Sequence, residues 1–276
     1  ERLFQVPGEG GDHAVSIAMR QLNWFMYVDP IWTQERLVPM LRFDHPAAEP
    51  AWNGFLYSQD VPSQALAEII KPFLIDLFPW IYKFAWDREV SNVAVAWLGF
   101  MRIFHADQSC GLTSREMRNS LRCMSGESRN HLIFWLSNVG RENDDGWNKL
   151  VIPFINEVWP RERRFRTSAS VRAWTGLLDD TEDSFPGVYI AVKRFLTAVE
   201  ADDRPFYRFT REIGEKEPIT TRFPEATLDL MDTVTPQALI QPPYELRKIL
   251  MLIAEADPAL TSDPRYLRLI DLVERS

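Results

Sequence analysis

A chain of 276 residues with 46% apolar and 25% charged content has a globular composition, long enough to bury a core without the staples that small folds need. Its 31 basic and 39 acidic side chains leave a net charge of -8, which argues against a general polyanion binder. No charge-free stretch, Val90 to Met101 included, exceeds twelve residues against the ~20 that cross a bilayer, and the two cysteines, Cys110 and Cys123, fit a reducing cytoplasm.

Along the chain, Glu1 is not an initiator Met and no apolar leader follows, which reads as a piece cut from a longer protein. Pro7-Gly8-Glu9-Gly10-Gly11 has neither a preceding strand nor Gly-x-Gly-x-x-Gly spacing, so it reads as a flexible terminus and not a phosphate loop. Helical periodicity then dominates. Ser63 stands ready to cap a helix over Gln64 to Ile70, and Pro72 should kink or begin a helix. Val93, Trp97, Phe100 and Phe104 form one apolar stripe, and Thr113-Ser114-Arg115-Glu116 and Ser125-Gly126-Glu127-Ser128 read as helix starts. Stripes follow at Met117, Leu121 and Met124, at Leu132, Trp135, Leu136 and Val139, at Val188, Val192, Phe195 and Val199, and at Leu246, Ile249, Leu250 and Ile253. No run shows strict strand alternation, and the fold class is all-α.

An internal repeat organises these helices. Ala51-Trp52-Asn53-Gly54, Ala96-Trp97-Leu98-Gly99 and Ala173-Trp174-Thr175-Gly176 share one pattern, and with Trp135 the successive tryptophan spacings are 45, 38 and 39. That period of about 40 residues matches helical-hairpin repeats of the HEAT and armadillo kind. Pro72 to Pro79 also matches Pro153 to Pro160 in residue type. A tryptophan anchors one helix on the next, while a glycine lets two backbones approach. Residues 1–200 are therefore expected to form the repeat region. Beyond about residue 200 the tryptophans stop, and residues 201–276, which include the polar stretch Lys216 to Pro224, are expected to form a helical cap on the same domain.

Sequence signals for catalysis are weak. His13, His45, His105 and His131 are scattered without zinc-ligand spacing, and His105 with Cys110 reads as a helix end. Asn143-Asp144-Asp145 and Asp179-Asp180-Thr181-Glu182-Asp183 could contribute carboxylates to a metal-dependent, nuclease-like site, but read better as solvated loops. The concentrated basic segment is Arg161-Glu162-Arg163-Arg164-Phe165-Arg166 with Arg172, five arginines in twelve residues. Guanidinium forks suit carboxylate or phosphate partners, and a base could stack on Phe165.

The stretches Leu41-Arg42-Phe43-Asp44, Ala51 to Ser58, Ile70-Lys71-Pro72-Phe73, Trp97-Leu98-Gly99-Phe100 and Asp263-Pro264-Arg265-Tyr266-Leu267-Arg268-Leu269 resemble a bacterial domain of unknown function. That domain lies C-terminal to sirtuin-like domains in defence-associated sirtuins. The resemblance implies a parent polypeptide with an N-terminal NAD-consuming domain acting against phage, and no sirtuin catalytic motif carries over to this chain. The expectation is a non-catalytic sensor, regulatory or assembly module with no cofactor and no metal, binding a protein partner such as an effector domain of the parent chain or a phage protein. Membrane association is not expected and nucleic-acid binding is disfavoured; the alternative is an enzyme with an unrecognised acidic site.

Overall fold

The computed structural model describes residues 2–58, 62–80, 88–199, 206, 208–210, 217–237 and 244–275. Among them are fifteen α-helices and no strand, so the chain is all-α. No helix among the described residues is long and apolar enough to cross a membrane. The chain divides into two compact units, Glu1–Leu132 and Ile133–Ser276. The division expected at residues 200 and 201 falls outside the described residues.

In the first unit, α1 (Glu9–Arg20), α2 (Leu22–Val28) and α3 (Pro30–Arg36) lead to α4 (Ala48–Tyr57), which packs along α1. Gly54 makes that packing possible, since an added Cβ would lie 2.1 Å from the Ser16 carbonyl oxygen. The Ser16 hydroxyl also donates to the Pro50 carbonyl at 2.9 Å. Trp52 is fully buried, and its indole N–H donates to the Leu41 carbonyl at 2.8 Å, so the ring enters the core with its one polar atom satisfied. Phe55 meets Trp97 of α6 (Arg88–Ile103) edge to face at 5.0 Å. Between them α5 (Gln64–Leu77) begins at Ser63, whose side chain accepts from the Leu66 amide at 3.3 Å, and runs on through Pro72. α7 (Ser114–Cys123) starts with a reciprocal Thr113 and Glu116 capping box, as its sequence predicts. α8 (Gly126–Glu142) starts after Ser125, which accepts from the Ser128 amide.

In the second unit, the end of α8 leads through a π-helical turn, Trp147–Val151, to α9 (Ile152–Val158). Pro153 has no N–H to donate backward, and the widened turn lies where the missing bond would fall. α10 (Ser168–Asp179), α11 (Phe185–Val192), α12 (Ile219–Arg222), α13 (Pro224–Val234), α14 (Tyr244–Ala256) and α15 (Pro264–Glu274) follow. Trp174 lies 4.7 Å from Trp159 and 5.9 Å from Phe195, joining the end of α9, the middle of α10 and the turn after α11. Asp229 of α13 ties α11 to α15: it accepts from the Tyr189 hydroxyl at 2.7 Å, Lys193 Nζ at 2.6 Å and Arg265 Nη1 at 3.2 Å. Arg268 pairs with Asp232 at 2.7 Å and reaches the Asp232 and Pro236 carbonyls at the end of α13.

The four repeat tryptophans fall on α4, α6, α8 and α10, every second helix. Their environments differ. Trp52, Trp97 and Trp174 are 0%, 9% and 1% exposed, while Trp135 is half-buried. Gly99 is buried on α6, and a Cβ on Gly176 would meet nothing within 4 Å, so the close approach at Gly54 has no counterpart there. The matched Pro72 and Pro153 segments bury the same three positions, Leu74, Leu77 and Phe78 against Ile155, Val158 and Trp159, but Pro72 lies inside its helix and Pro153 at the start of its own. The stripe from Val188 breaks after Phe195, where Leu196 turns extended and the Val199 amide instead donates to the Val234 carbonyl.

Trp52→Ala is expected to cost ~3–5 kcal/mol in denaturant unfolding, and Trp135→Ala distinctly less. Burial pushes the Asp229 carboxyl up, but its bonds to Lys193 and Tyr189 and the pairing with Arg265 outweigh burial and hold it below the ordinary range. Its Arg265 partner holds Asp263 at about 2. Burial pushes the Tyr189 hydroxyl well above its ordinary value. Depressed carboxylates give stability that is complete above the unfolded value of ~4 and lost as pH falls through the folded value. The raised tyrosine gives stability that is complete below ~10 and lost as pH rises further. Unfolding midpoints measured from pH 2 to 11 should therefore fall at both ends, and Asp229→Asn should lower the plateau while flattening the acid limb.

Candidate functional site

The arginine segment occupies the connection between α9 and α10, whose two ends are fixed. At one end Trp159 is buried against Trp174 and Phe195, at 4.7 Å and 6.4 Å. At the other, Thr167 and Ser170 cap α10 reciprocally, and the Ser170 hydroxyl donates to the Phe165 carbonyl at 2.9 Å. Between them a single 3-10 turn, Arg163–Phe165, closes with the Arg166 amide on the Arg163 carbonyl.

This short path leaves the guanidinium groups at the surface. Arg161, Arg163 and Arg164 are exposed, Arg166 is half-buried, and Arg172 is exposed on α10. Arg164 lies 4.6 Å above the Phe165 ring, which is itself half-buried and so is partly covered by this neighbour. Among the described residues, Arg161, Arg163, Arg164 and Arg166 make no ion pair with a carboxylate. The Nε of Arg166 is buried and has no hydrogen-bond partner among the described residues.

The structure adds Arg194 to the cluster, a residue 33 positions from Arg161 that sequence spacing did not single out. It follows the turn after α11, where its Nη2 donates to Asn156 Oδ1 at 2.7 Å and to the Ile155 carbonyl at 3.4 Å. Burial first, and the charge of Arg161 second, push its guanidinium below the ordinary value. The charge of Arg161 is thus felt at Arg194. The signal available in sequence was indirect: Arg194 precedes Phe195, the third member of the aromatic contact that carries Trp159.

The carboxylates proposed for metal chemistry do not converge. Asp144 pairs with Lys149 at 3.0 Å, Asp145 accepts from Asn148 at 2.6 Å, Asp180 accepts from the Ser137 hydroxyl, and Asp183 pairs with Arg222. No group of three or more His, Cys, Asp or Glu side chains among the described residues could hold a metal ion. His105 Nδ1 and the buried Cys110 thiol both bond to Gln108 Oε1, at 2.7 Å and 3.7 Å, so that pair is occupied with the turn between them. The motif Asp263 to Leu269 is a packing device: Asp263 caps α15, and Arg265 and Arg268 reach Asp229 and Asp232.

No protein-family model and no solved structure matches the chain. It is 24% identical over 164 residues to the uncharacterized protein y4cA of Sinorhizobium fredii (strain NBRC 101917 / NGR234), a match covering 58% of this chain and 14% of that protein. The chain thus spans about one seventh of the length of the curated relative it matches.

Arg161→Gln removes one of two opposed charges. It is expected to raise the melting temperature by about 1–2 °C at low salt, with the gain shrinking as salt rises. A lower melting temperature would mean that Arg161 serves the fold.

Proposed function

We propose that the chain is a non-catalytic helical-hairpin repeat module of a larger protein, and that it engages an acidic surface of a protein partner through Arg161, Arg163, Arg164 and Arg166 on the α9 to α10 connection, with Arg172 beside it. The observation that carries this reading is charge left uncompensated on a pinned loop of an acidic chain. The one carboxylate within the segment, Glu162, stands against four guanidinium groups, a surplus of positive charge suited to the carboxylates of a partner. Electrostatic surfaces of this kind set partner choice and association rate. Tryptophans on alternate helices support the repeat of about 40 residues, with Trp135 the least buried of them. The great length of y4cA beside the matched region supports membership of a larger protein. On the family resemblance, that larger protein joins the module to a sirtuin-like NAD-consuming domain used against phage, with the module sensing a phage protein or restraining the effector in the cytoplasm.

Titration with a poly-glutamate peptide and with a DNA duplex, at low and moderate salt, tests the surface. The wild-type chain should bind the peptide in a salt-sensitive way and the duplex weakly. Arg163→Glu/Arg164→Glu/Arg166→Glu should abolish peptide binding and leave the melting temperature nearly unchanged. A triple variant that melts early and binds as before would make the cluster structural. Hydrolysis of NAD, or Mg²⁺-dependent nucleic-acid cleavage lost on mutating Asp144 and Asp145 or Asp180 and Asp183, would overturn the non-catalytic reading.

A further inference from the structure

A second surface lies in the first unit and owes nothing to the arginine cluster. α1 and α2, joined at Gln21, are apolar on two faces. Val15, Ala18, Met19, Leu22 and Met26 are buried and hold the pair to the unit. On the outward side Trp24 and Val28 stand one turn apart on α2, with Ile17 on α1 before them, and the three stay 55%, 56% and 68% exposed. Tyr27 beside them is 88% exposed and Ile31, just inside α3, 70%. Single exposed hydrophobic residues are ordinary, but five large ones within fifteen residues form a patch of the kind that marks an interaction site.

The patch is built rigidly. Trp24 packs edge to face on Phe25 at 5.0 Å, and Phe25 in turn lies 5.6 Å from Trp32. At the break between α2 and α3, the Asp29 side chain accepts from the Trp32 amide at 3.0 Å and its carbonyl from the Thr33 hydroxyl at 2.7 Å, which fixes Ile31 relative to Tyr27. Ordering these side chains on association therefore costs little further entropy.

We propose that this face is a two-fold interface between two copies of the chain. Its five side chains expose on the order of 700 Å² per copy, close to the ~800 Å² that each partner contributes to a standard stable interface. Charge favours self-pairing at this face. The chain as a whole is acidic, yet from His13 to Val28 there is no carboxylate, and the sole Arg there, Arg20, lies 5.9 Å from the Tyr57 ring. The one carboxylate between Ile17 and Ile31, Asp29, accepts from the Trp32 amide at its own helix start, and a two-fold interface uses the same patch on both sides.

Sedimentation equilibrium of the whole chain from about 1 to 100 μM tests the proposal. The wild type should pass reversibly from monomer to dimer. Tyr27→Asp/Ile31→Asp, changes at exposed positions that leave the circular dichroism and melting curve intact, should weaken association by about 100-fold or more. Arg163→Glu/Arg164→Glu should dimerise as the wild type does, which separates this interface from the arginine surface. A wild type that stays monomeric at 100 μM would overturn the proposal, as would a dimer that persists in the Tyr27 and Ile31 variant or one lost in the arginine variant.

Discussion

The contact among Trp159, Trp174 and Phe195 is what the arginine surface depends on. Each ring comes from a different stretch of chain: the end of α9, the middle of α10 and the turn after α11. Their burial together fixes where the α9 to α10 connection starts, how far it must travel and what lies beneath it. A connection that short has room for one 3-10 turn, and Arg161, Arg163 and Arg164 on it are exposed. The same contact holds Arg194, covalently next to Phe195, where the charge of Arg161 acts on it. A hydrophobic cluster thus creates the electrostatic feature above it, and the two would fail together if the rings were lost.

Much of the fold is legible in the sequence because helices are local objects. The Ser63, Thr113 and Ser125 caps lie where their side chains predict, and Met117 with Leu121, or Leu246 to Ile253, face the core as their spacing requires. Periodicity was less informative where a helix stops for tertiary reasons. Nothing between Val188 and Val199 announces that the chain turns extended at Leu196 to place Val199 beside Val234. Likeness of motif also exceeded likeness of environment: Gly54 admits a neighbouring backbone, and Gly176, in the same pattern, faces open space.

The candidate site divides along the same line. Arg161 to Arg166 stand out because they are adjacent in sequence, whereas Arg194 joins them only through folding. The Asp229 network escaped the sequence reading for that reason too, since Tyr189, Lys193 and Arg265 lie about 40 positions away on either side. The outward face of α1 and α2 is a different case. Its spacing is visible in the chain, but an apolar helix shows which of its two faces is inward only once α4 is packed on it.

The distance along the chain from α13 to α15 bears on how the protein is made. Asp229 and Asp232 on α13 acquire their guanidinium partners from Arg265 and Arg268, each 36 residues later in the chain. On a ribosome adding ~5–20 residues each second, the first unit can pack while the second is still being synthesised. The carboxylates of α13 then wait, hydrated, for a helix that has yet to leave the exit tunnel. Completion of the second unit is thereby coupled to completion of this stretch of polypeptide, and a chain cut short before Arg265 would display an open acidic face and exposed apolar helices to the proteases that clear unfinished proteins.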